Sequence, residues 1–346
     1  MSAPPAGFAG RIVRWQLAHG RNALPWQDTR DPYRVWLSEI MLQQTQVTTV
    51  LAYYTRFLGR FEHVQALAAA QLDEVYAFWS GLGYYSRARN LHRCARDVVA
   101  LHGGEFPRRA EILASLPGIG RSTAAAIASL CFGERAAILD GNVKRVLTRV
   151  LGFDADLSTA AAQRRLWEHA QALLPRRAVR ESMPRYTQGL MDLGATVCLP
   201  RRPTCLLCPV SGLCIARREG APESYPVKSR KLKRSAQSLW LLQARAGDGS
   251  VWLEKRPATG IWAGLYCLPV FESRAALQDA VPQPARPRLR DDAPFVHVLT
   301  HKDLHLHRVA TQVDRRSMSH PQGGWFGAED LPRLGLPAPV RRLLAT

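Results

Sequence analysis

Four of the seven cysteines in this 346-residue chain fall within seventeen residues, as Cys198-x6-Cys205-x2-Cys208-x5-Cys214 in the stretch CLPRRPTCLLCPVSGLC. The prolines keep that stretch out of helix or central strand, so it is a loop that gathers four thiols around one point. Such a cage is a metal site. Zinc sites with four cysteines usually use two CxxC pairs set far apart, and only the pair Cys205–Cys208 is present here. Thiolate-only ligation also suits an iron–sulfur cluster, and a [4Fe-4S] cluster fits this spacing better than zinc, which stays open as the alternative. A disulfide framework does not fit, because the count is odd and nothing in the sequence directs the chain out of a reducing compartment. Cys94, Cys131 and Cys267 stand alone and read as small core residues.

The chain carries 47 Lys and Arg against 28 Asp and Glu, a net charge of +19, which calls for a polyanionic partner. With 47% hydrophobic residues it has material for a sizeable core, and its length exceeds what one core usually serves, so two domains are expected. The longest apolar run, Thr123–Phe132, is short and mostly alanine, which excludes a membrane-spanning reading. The N-terminus lacks a basic segment followed by a continuous apolar stretch, so the expected location is cytosolic. Nothing points beyond a monomer.

Residues 1–216 read as successive helices. Trp36, Leu37, Ile40 and Met41 recur at helical spacing, as do Val143, Val146, Leu147 and Val150. Leu67, Leu72, Val75, Phe78 and Trp79 predict one further amphipathic helix ending at the Gly81–Gly83 turn, followed by a helix through RARNLHRCARDVVALH. Residues 217–236 read as a basic linker, with seven Lys and Arg between Arg217 and Arg234. Beyond it the pattern changes to strands: SLWLLQA, a GDG hairpin signal, SVWLEKR and the alternating FVHVLTHKDLHLHRV. Residues 237–346 are therefore expected to form a smaller α+β domain.

Within the helical part, LPGIGRSTAAAIASL sets a tight turn, Pro117–Gly120, between two helices in the span 111–131. Its glycines allow close backbone approach, and the N–H groups opening the second helix can face a phosphate. Asp140 directly precedes Gly141, Asn142 and a helix, a helix N-cap position that is compatible with a chemical role. Glu39 lies on the helix of WLSEIMLQQTQV, on or near a face otherwise lined by apolar residues.

Taken together, the PGIG turn, AILDGNVKRVL and the four-cysteine loop resemble the endonuclease III-like helix-hairpin-helix DNA glycosylases. The segments LPWQDTRDPYRV, WLSEIMLQQTQV and GLGYYSRARNL are similar to the MutY-type adenine DNA glycosylases within that superfamily, and the resemblance runs over roughly residues 8 to 345. It implies that Asp140 is the catalytic aspartate, that Glu39 protonates adenine at N7, and that Asn142 lies near the nucleophilic water. It further implies that Gln44 and Tyr84 wedge into the stack, and that Leu24, Trp26 and Gln188 line the adenine pocket. Gly118, Gly120 and Ser122 belong to the DNA-facing hairpin by the same resemblance, and Arg201 and Arg202 to a cluster loop whose [4Fe-4S] group on the four cysteines is structural. Lyase-competent relatives carry a nucleophilic lysine where this chain has Ser122, which implies a monofunctional glycosylase with water as acceptor.

RPATGIWAGLYCLP and HVLTHKDLHLH resemble the MutY C-terminal domain, which is Nudix-like and reads 8-oxoguanine. Leu299, Thr300 and His301 stand where that family often has Phe-Ser-His, so the hydroxyl is kept and the aromatic is lost. No glutamate-rich magnesium-binding run occurs between Ser238 and Thr346, so pyrophosphatase activity is not expected. His297, His301, His305 and His307 alternate on a strand and read as a polar face rather than a zinc site. The expected substrate is double-stranded DNA with adenine opposite 8-oxoguanine or guanine, in base-excision repair. The rival readings are an endonuclease III-like lyase for oxidised pyrimidines and a non-catalytic iron–sulfur DNA-binding protein.

Overall fold

A computed structural model describes residues 5–229 and 234–345. The chain forms two compact units, and each is made of segments distant in sequence. One comprises the residues up to Tyr54, His63–Gln65 and the chain from Arg93 to 229; the other comprises Thr55–Glu62, Ala66–His92 and the chain from 234 onward. Among the described residues no helix is long and apolar enough to cross a membrane.

The first unit is helical and is built around the helix Val179–Thr196, which packs against Phe8–His19, Arg121–Phe132 and Gly141–Leu151. The expected stripe of Val143, Val146, Leu147 and Val150 is buried there, with Ile12, Leu190 and Leu193. Two glycines permit the close crossings. A Cβ on Gly189 would stand 2.8 Å from Ile12 Cγ2, and one on Gly194 would stand 2.6 Å from Asn142 Cβ. At the hairpin, Gly118 takes φ +77°, a left-handed conformation that favours glycine, and Gly120 then opens the helix Arg121–Phe132. Cys94 and Cys131 are buried as expected.

The second unit holds an eight-stranded mixed sheet. Its strands are β1 (Ser235–Arg245), β2 (Val251–Lys255), β3 (Tyr266–Cys267), β4 (Val270–Phe271), β5 (Arg290–Asp291), β6 (Phe295–Val298), β7 (Lys302–Gln312) and β8 (Gly323–Phe326). The path runs β3-β2-β1-β7-β5, with β4 on β1, β6 on β7 and β8 on β2. The long strands β1 and β7 pair in parallel from Ser235↔Lys302 to Arg245↔Gln312. The expected GDG turn joins β1 to β2, with Gly249 at φ +82° and the Asp248 carboxylate accepting from the Ser250 N–H at 3.0 Å. On β7, Leu304 and Leu306 face the core while His305 is exposed and His307 stacks on Trp240 at 4.4 Å, so the histidines lie on the opposite face.

Two sequence expectations need adjustment. The single helix expected from Leu67 to Trp79 is two helices, Val64–Ala69 and Leu72–Trp79. Gln71 turns extended between them, and Asp73 and Glu74 then sit in the first turn of the new helix, where carboxylates complement the helix dipole. In the segment read as a linker, residues 217–229 pack on the helical unit: Leu157 N–H donates to the Val227 carbonyl at 3.1 Å and Arg149 Nε to the Tyr225 carbonyl at 3.4 Å. The rest of that basic run, 230–233, lies outside the described residues.

Candidate active site and cysteine loop

The helix Pro32–Leu42 begins at Asp31, whose side chain caps it by accepting from the Tyr33 N–H at 2.9 Å. Its heptad-like apolar positions Val35, Trp36, Leu37, Ile40 and Met41 are buried, and this fixes the rotation that turns Glu39 toward a cavity. Leu24, Trp26, Gln188 and Glu39 all line that cavity, of about 170 Å³, together with Arg21, Asn22 and Arg185. Trp26 is held edge-on against Tyr54, with ring centroids 5.2 Å apart. A cavity with one flat aromatic wall and a few convergent polar groups is suited to a planar heteroaromatic ligand.

Burial pushes the Glu39 carboxyl up to about 7, and the Asp140 charge adds to the shift. Asp140 is itself raised by burial, but four influences oppose that: N–H groups of Val143 and Asn142, and the cations Arg145 and Lys144. The Val143 N–H donates to Asp140 Oδ1 at 2.7 Å, which makes Asp140 the N-cap of the helix Gly141–Leu151. Glu39 has no such set of donors, so on titration Asp140 ionises first and Glu39 keeps its proton to near neutrality. Two carboxyls with separated pKa values can divide proton donation and charge stabilisation. The Ser122 hydroxyl accepts from the Leu139 N–H at 2.9 Å and so ties the hairpin helix to the residue preceding Asp140.

Asn142 is fixed from two sides. Arg145 Nη2 donates to Asn142 Oδ1 at 2.8 Å and to the Gly194 carbonyl at 2.7 Å, and its Nε donates to the Cys198 carbonyl at 2.8 Å. Gly194 also leaves the space that the Asn142 Cβ occupies. Gly194→Ala is therefore expected to force the two helices apart, displace Asn142 and lower turnover at least tenfold, although alanine is the better helix former. Single-turnover kinetics on folded protein checks this, and unchanged rates would mean the crossing relaxes freely.

The four cysteines line one small buried cavity whose wall includes Arg149. Arg149 is 2% exposed and donates from Nη1 to Cys198 Sγ at 3.4 Å and to the Leu199 carbonyl at 2.6 Å, and from Nη2 to the Pro200 carbonyl at 2.9 Å. Burial pushes the Cys208 thiol up to about 12, reinforced by Cys198, Cys214 and Cys205. Four thiolates so placed repel one another unless a cationic centre binds them all, and with only sulfur donors the set fits an iron–sulfur cluster. Among the described residues no group of His, Cys, Asp and Glu is arranged around a single metal ion.

Three expected DNA-facing residues share a backbone feature. Gln44 (φ +58°), Tyr84 (φ +48°) and Arg202 (φ +47°) take left-handed conformations without being glycine, a cost of about 1–3 kcal/mol each that tends to mark functional sites. Gln44, Tyr84, Arg201 and Arg202 are exposed. In the second unit the Tyr84 hydroxyl lies 2.7 Å from Thr300 Oγ1, so two residues expected to have separate roles are brought together. Thr300 sits with Leu299 and His301 in the tight turn between β6 and β7, closed by the Leu299 N–H donating to the Lys302 carbonyl at 2.8 Å. Thr300 and His301 are exposed, whereas Leu299 is partly buried and packs against the core.

Residues 37–172 match the model of the HhH-GPD superfamily of base excision DNA repair proteins, and residues 240–346 match the NUDIX domain. The adenine DNA glycosylase of Buchnera aphidicola subsp. Acyrthosiphon pisum (strain APS) is 33% identical over 345 residues, which cover 97% of this chain and 96% of that protein. The chain belongs to the adenine DNA glycosylase family. The Homo sapiens adenine DNA glycosylase is 37% identical over 367 residues, covering 87% of this chain and 66% of the human protein. Among solved structures, a thermostable thymine-DNA glycosylase superposes with a TM-score of 0.54 at 31% identity, over 61% of this chain and 95% of that one.

For this adenine DNA glycosylase family member, sequence reasoning missed three residues that build the site. Asp192, with a fully buried side chain, holds Arg21 and Gln188, and Arg145 links Asn142 to the cysteine loop. The available signal was spacing: Asp192 lies four residues after Gln188 and Arg145 three after Asn142, so each pair shares a helix face.

Proposed function

We propose that this protein is a monofunctional DNA glycosylase that hydrolyses the N-glycosidic bond of adenine mispaired with 8-oxoguanine or guanine in duplex DNA, initiating base-excision repair. The observation that carries this reading is the single cavity in which Trp26, Leu24 and Gln188 surround a Glu39 carboxyl that stays protonated to about pH 7. An adenine turned out of the stack enters that cavity. Glu39 gives its proton to N7 as the bond to C1′ breaks and its electron pair passes to the base. The ionised Asp140 stabilises the oxocarbenium-like sugar, Asn142 orients water, and the water adds to C1′ and returns a proton. A [4Fe-4S] cluster on Cys198, Cys205, Cys208 and Cys214 would fold the loop that carries Arg201 and Arg202 toward phosphates; it supplies structure and takes no part in the chemical step. With Ser122 bonded to the Leu139 N–H, that position offers no amine for a Schiff base. We place the protein in the cytosol, with the DNA.

The deciding experiment is single-turnover cleavage of duplexes with A:8-oxoguanine, A:G and thymine-glycol:A pairs, each with and without alkali. Breaks at adenine that need alkali support the proposal, and alkali-independent breaks at thymine glycol would replace it with the lyase reading. No excision on any duplex would leave a DNA-binding protein.

The Tyr84–Thr300 contact and the exposed His301 point to the β6–β7 turn as the reader of 8-oxoguanine. Thr300→Ala combined with His301→Ala is expected to lower the preference for A:8-oxoguanine over A:G by about tenfold, the value of one or two hydrogen bonds, with little effect on A:G itself. Competition kinetics on the two duplexes measures it, and an unchanged preference removes this turn from lesion reading.

A further inference from the structure

Resting on the adenine-excising reading above, we infer that Asp192 is a positioning residue that sets which end of the Gln188 amide faces the base, and thereby makes the pocket select a 6-aminopurine over a 6-oxopurine. The Asp192 side chain is fully buried. Its Oδ1 accepts from Arg21 Nε at 2.7 Å and from Gln188 Nε2 at 3.0 Å, and its Oδ2 accepts from the Arg21 backbone N–H at 3.1 Å. Arg21 and Gln188 both line the cavity that contains Glu39, and Asp192 stands behind them.

A primary amide has a donor end and an acceptor end that are nearly the same shape, so the cavity alone does not dictate which one it meets. The carboxylate behind Gln188 removes that freedom. It can only accept, so it takes the Nε2 end and leaves Oε1 for the cavity. Turning the amide over would set a carbonyl oxygen against a buried carboxylate and lose a hydrogen bond. Arg21 holds the carboxylate through Oδ1 and Oδ2, so its orientation is fixed independently of the ligand.

An acceptor at that point pairs with the exocyclic N6–H of adenine and opposes the O6 acceptor of guanine or hypoxanthine. Discrimination of this type exceeds what shape gives, because the wrong base leaves two buried acceptors facing each other. It also matters chemically. Glu39 acts on N7, which purines of both kinds carry, so proton donation by itself does not separate them.

The test is single-turnover excision of adenine and of hypoxanthine, each opposite guanine in otherwise identical duplexes. It compares the unmodified holoprotein with Asp192→Asn and with the exchange variant Gln188→Glu/Asp192→Asn. Asp192→Asn leaves one oxygen for the Arg21 backbone N–H and Arg21 Nε to compete for; with that oxygen on the backbone N–H its Nδ2 faces Gln188, the amide turns over, and the adenine-to-hypoxanthine rate ratio is expected to fall about tenfold. The exchange variant keeps the net charge beside Arg21, keeps a donor–acceptor contact between the two side chains and returns an acceptor to the cavity. It is expected to recover most of the ratio. A purely structural role for Asp192 would lower both rates together and leave the ratio unchanged, and that result, or an exchange variant no more selective than Asp192→Asn, overturns the inference. Should Asp192→Asn fail to fold, Asp192→Ala, which removes the acceptor behind Gln188, is measured in its place: a fallen ratio supports the inference and an unchanged ratio overturns it. If the unmodified protein removes no adenine from either duplex, the function reading fails and takes this inference with it, whereas adenine excision with an insensitive ratio rejects the inference alone.

Discussion

Glu39→Gln is expected to bind mispaired duplex normally and to lose about 10²–10⁴-fold in single-turnover excision, the range spanned by a well-placed general acid. Glutamine keeps the shape of the side chain and its contacts in the cavity wall, so what is lost is the proton. The same assignment fixes a pH profile. With the carboxyl raised to about 7, the rate is highest between the ionisation of Asp140 and that of Glu39; it falls about tenfold per unit above the latter and declines again where Asp140 takes up its proton. The variant's residual rate should not show that fall. The sign for stability runs the same way. An unfolded glutamate ionises near 4.5 and the folded one near 7, so the unfolded state binds fewer protons across that interval and stability declines as pH rises through it. Glu39→Gln removes the penalty and is expected to be more stable than the parent at pH 8 and nearly equal at pH 4, as measured by denaturant unfolding. Equal excision rates, or a variant less stable at pH 8, would remove Glu39 from the acid role.

Asp140→Asn is expected to cost about 10²–10³-fold in excision, the size of a lost electrostatic contact to a developing charge. Because asparagine is as good an N-cap as aspartate, the helix Gly141–Leu151 should keep its start and the fold its stability. Asp140→Ala separates the two functions of the residue. It should lose the same activity and, in addition, about 1 kcal/mol of stability, because the Val143 N–H loses its acceptor. An asparagine variant with full turnover would leave Asp140 as a cap and nothing more. The Asp140 charge also raises Glu39, so Asp140→Asn should move the fall in any residual pH profile to lower pH.

Much of this was legible from local pattern. The four-cysteine loop, the hairpin turn, the Asp140 cap and the stripes of Trp36–Met41 and Val143–Val150 each depend on residues close in sequence, where the covalent chain itself fixes the distances. The strands around GDG and in FVHVLTHKDLHLHRV were readable for the same reason. Where local signals competed, the reading went astray: a continuous apolar period from Leu67 to Trp79 hid the break at Gln71, because periodicity survives a short interruption between two helices. The basic run after Arg217 reads as an interdomain linker, and that its described part docks through backbone groups is something composition does not reveal.

The sequence by itself determined the two-part architecture, the clustering of the four cysteines and the family, since these rest on residue types at short spacings within local motifs. Tertiary structure alone decided that Leu299 packs partly against the core while Thr300 meets Tyr84, and that Asp192 stands behind the amide of Gln188. Those relations join residues up to 216 positions apart. They depend on the side-chain shapes and buried charges at helix crossings and at a strand turn, and a pattern read along the chain carries no information about distances of that kind.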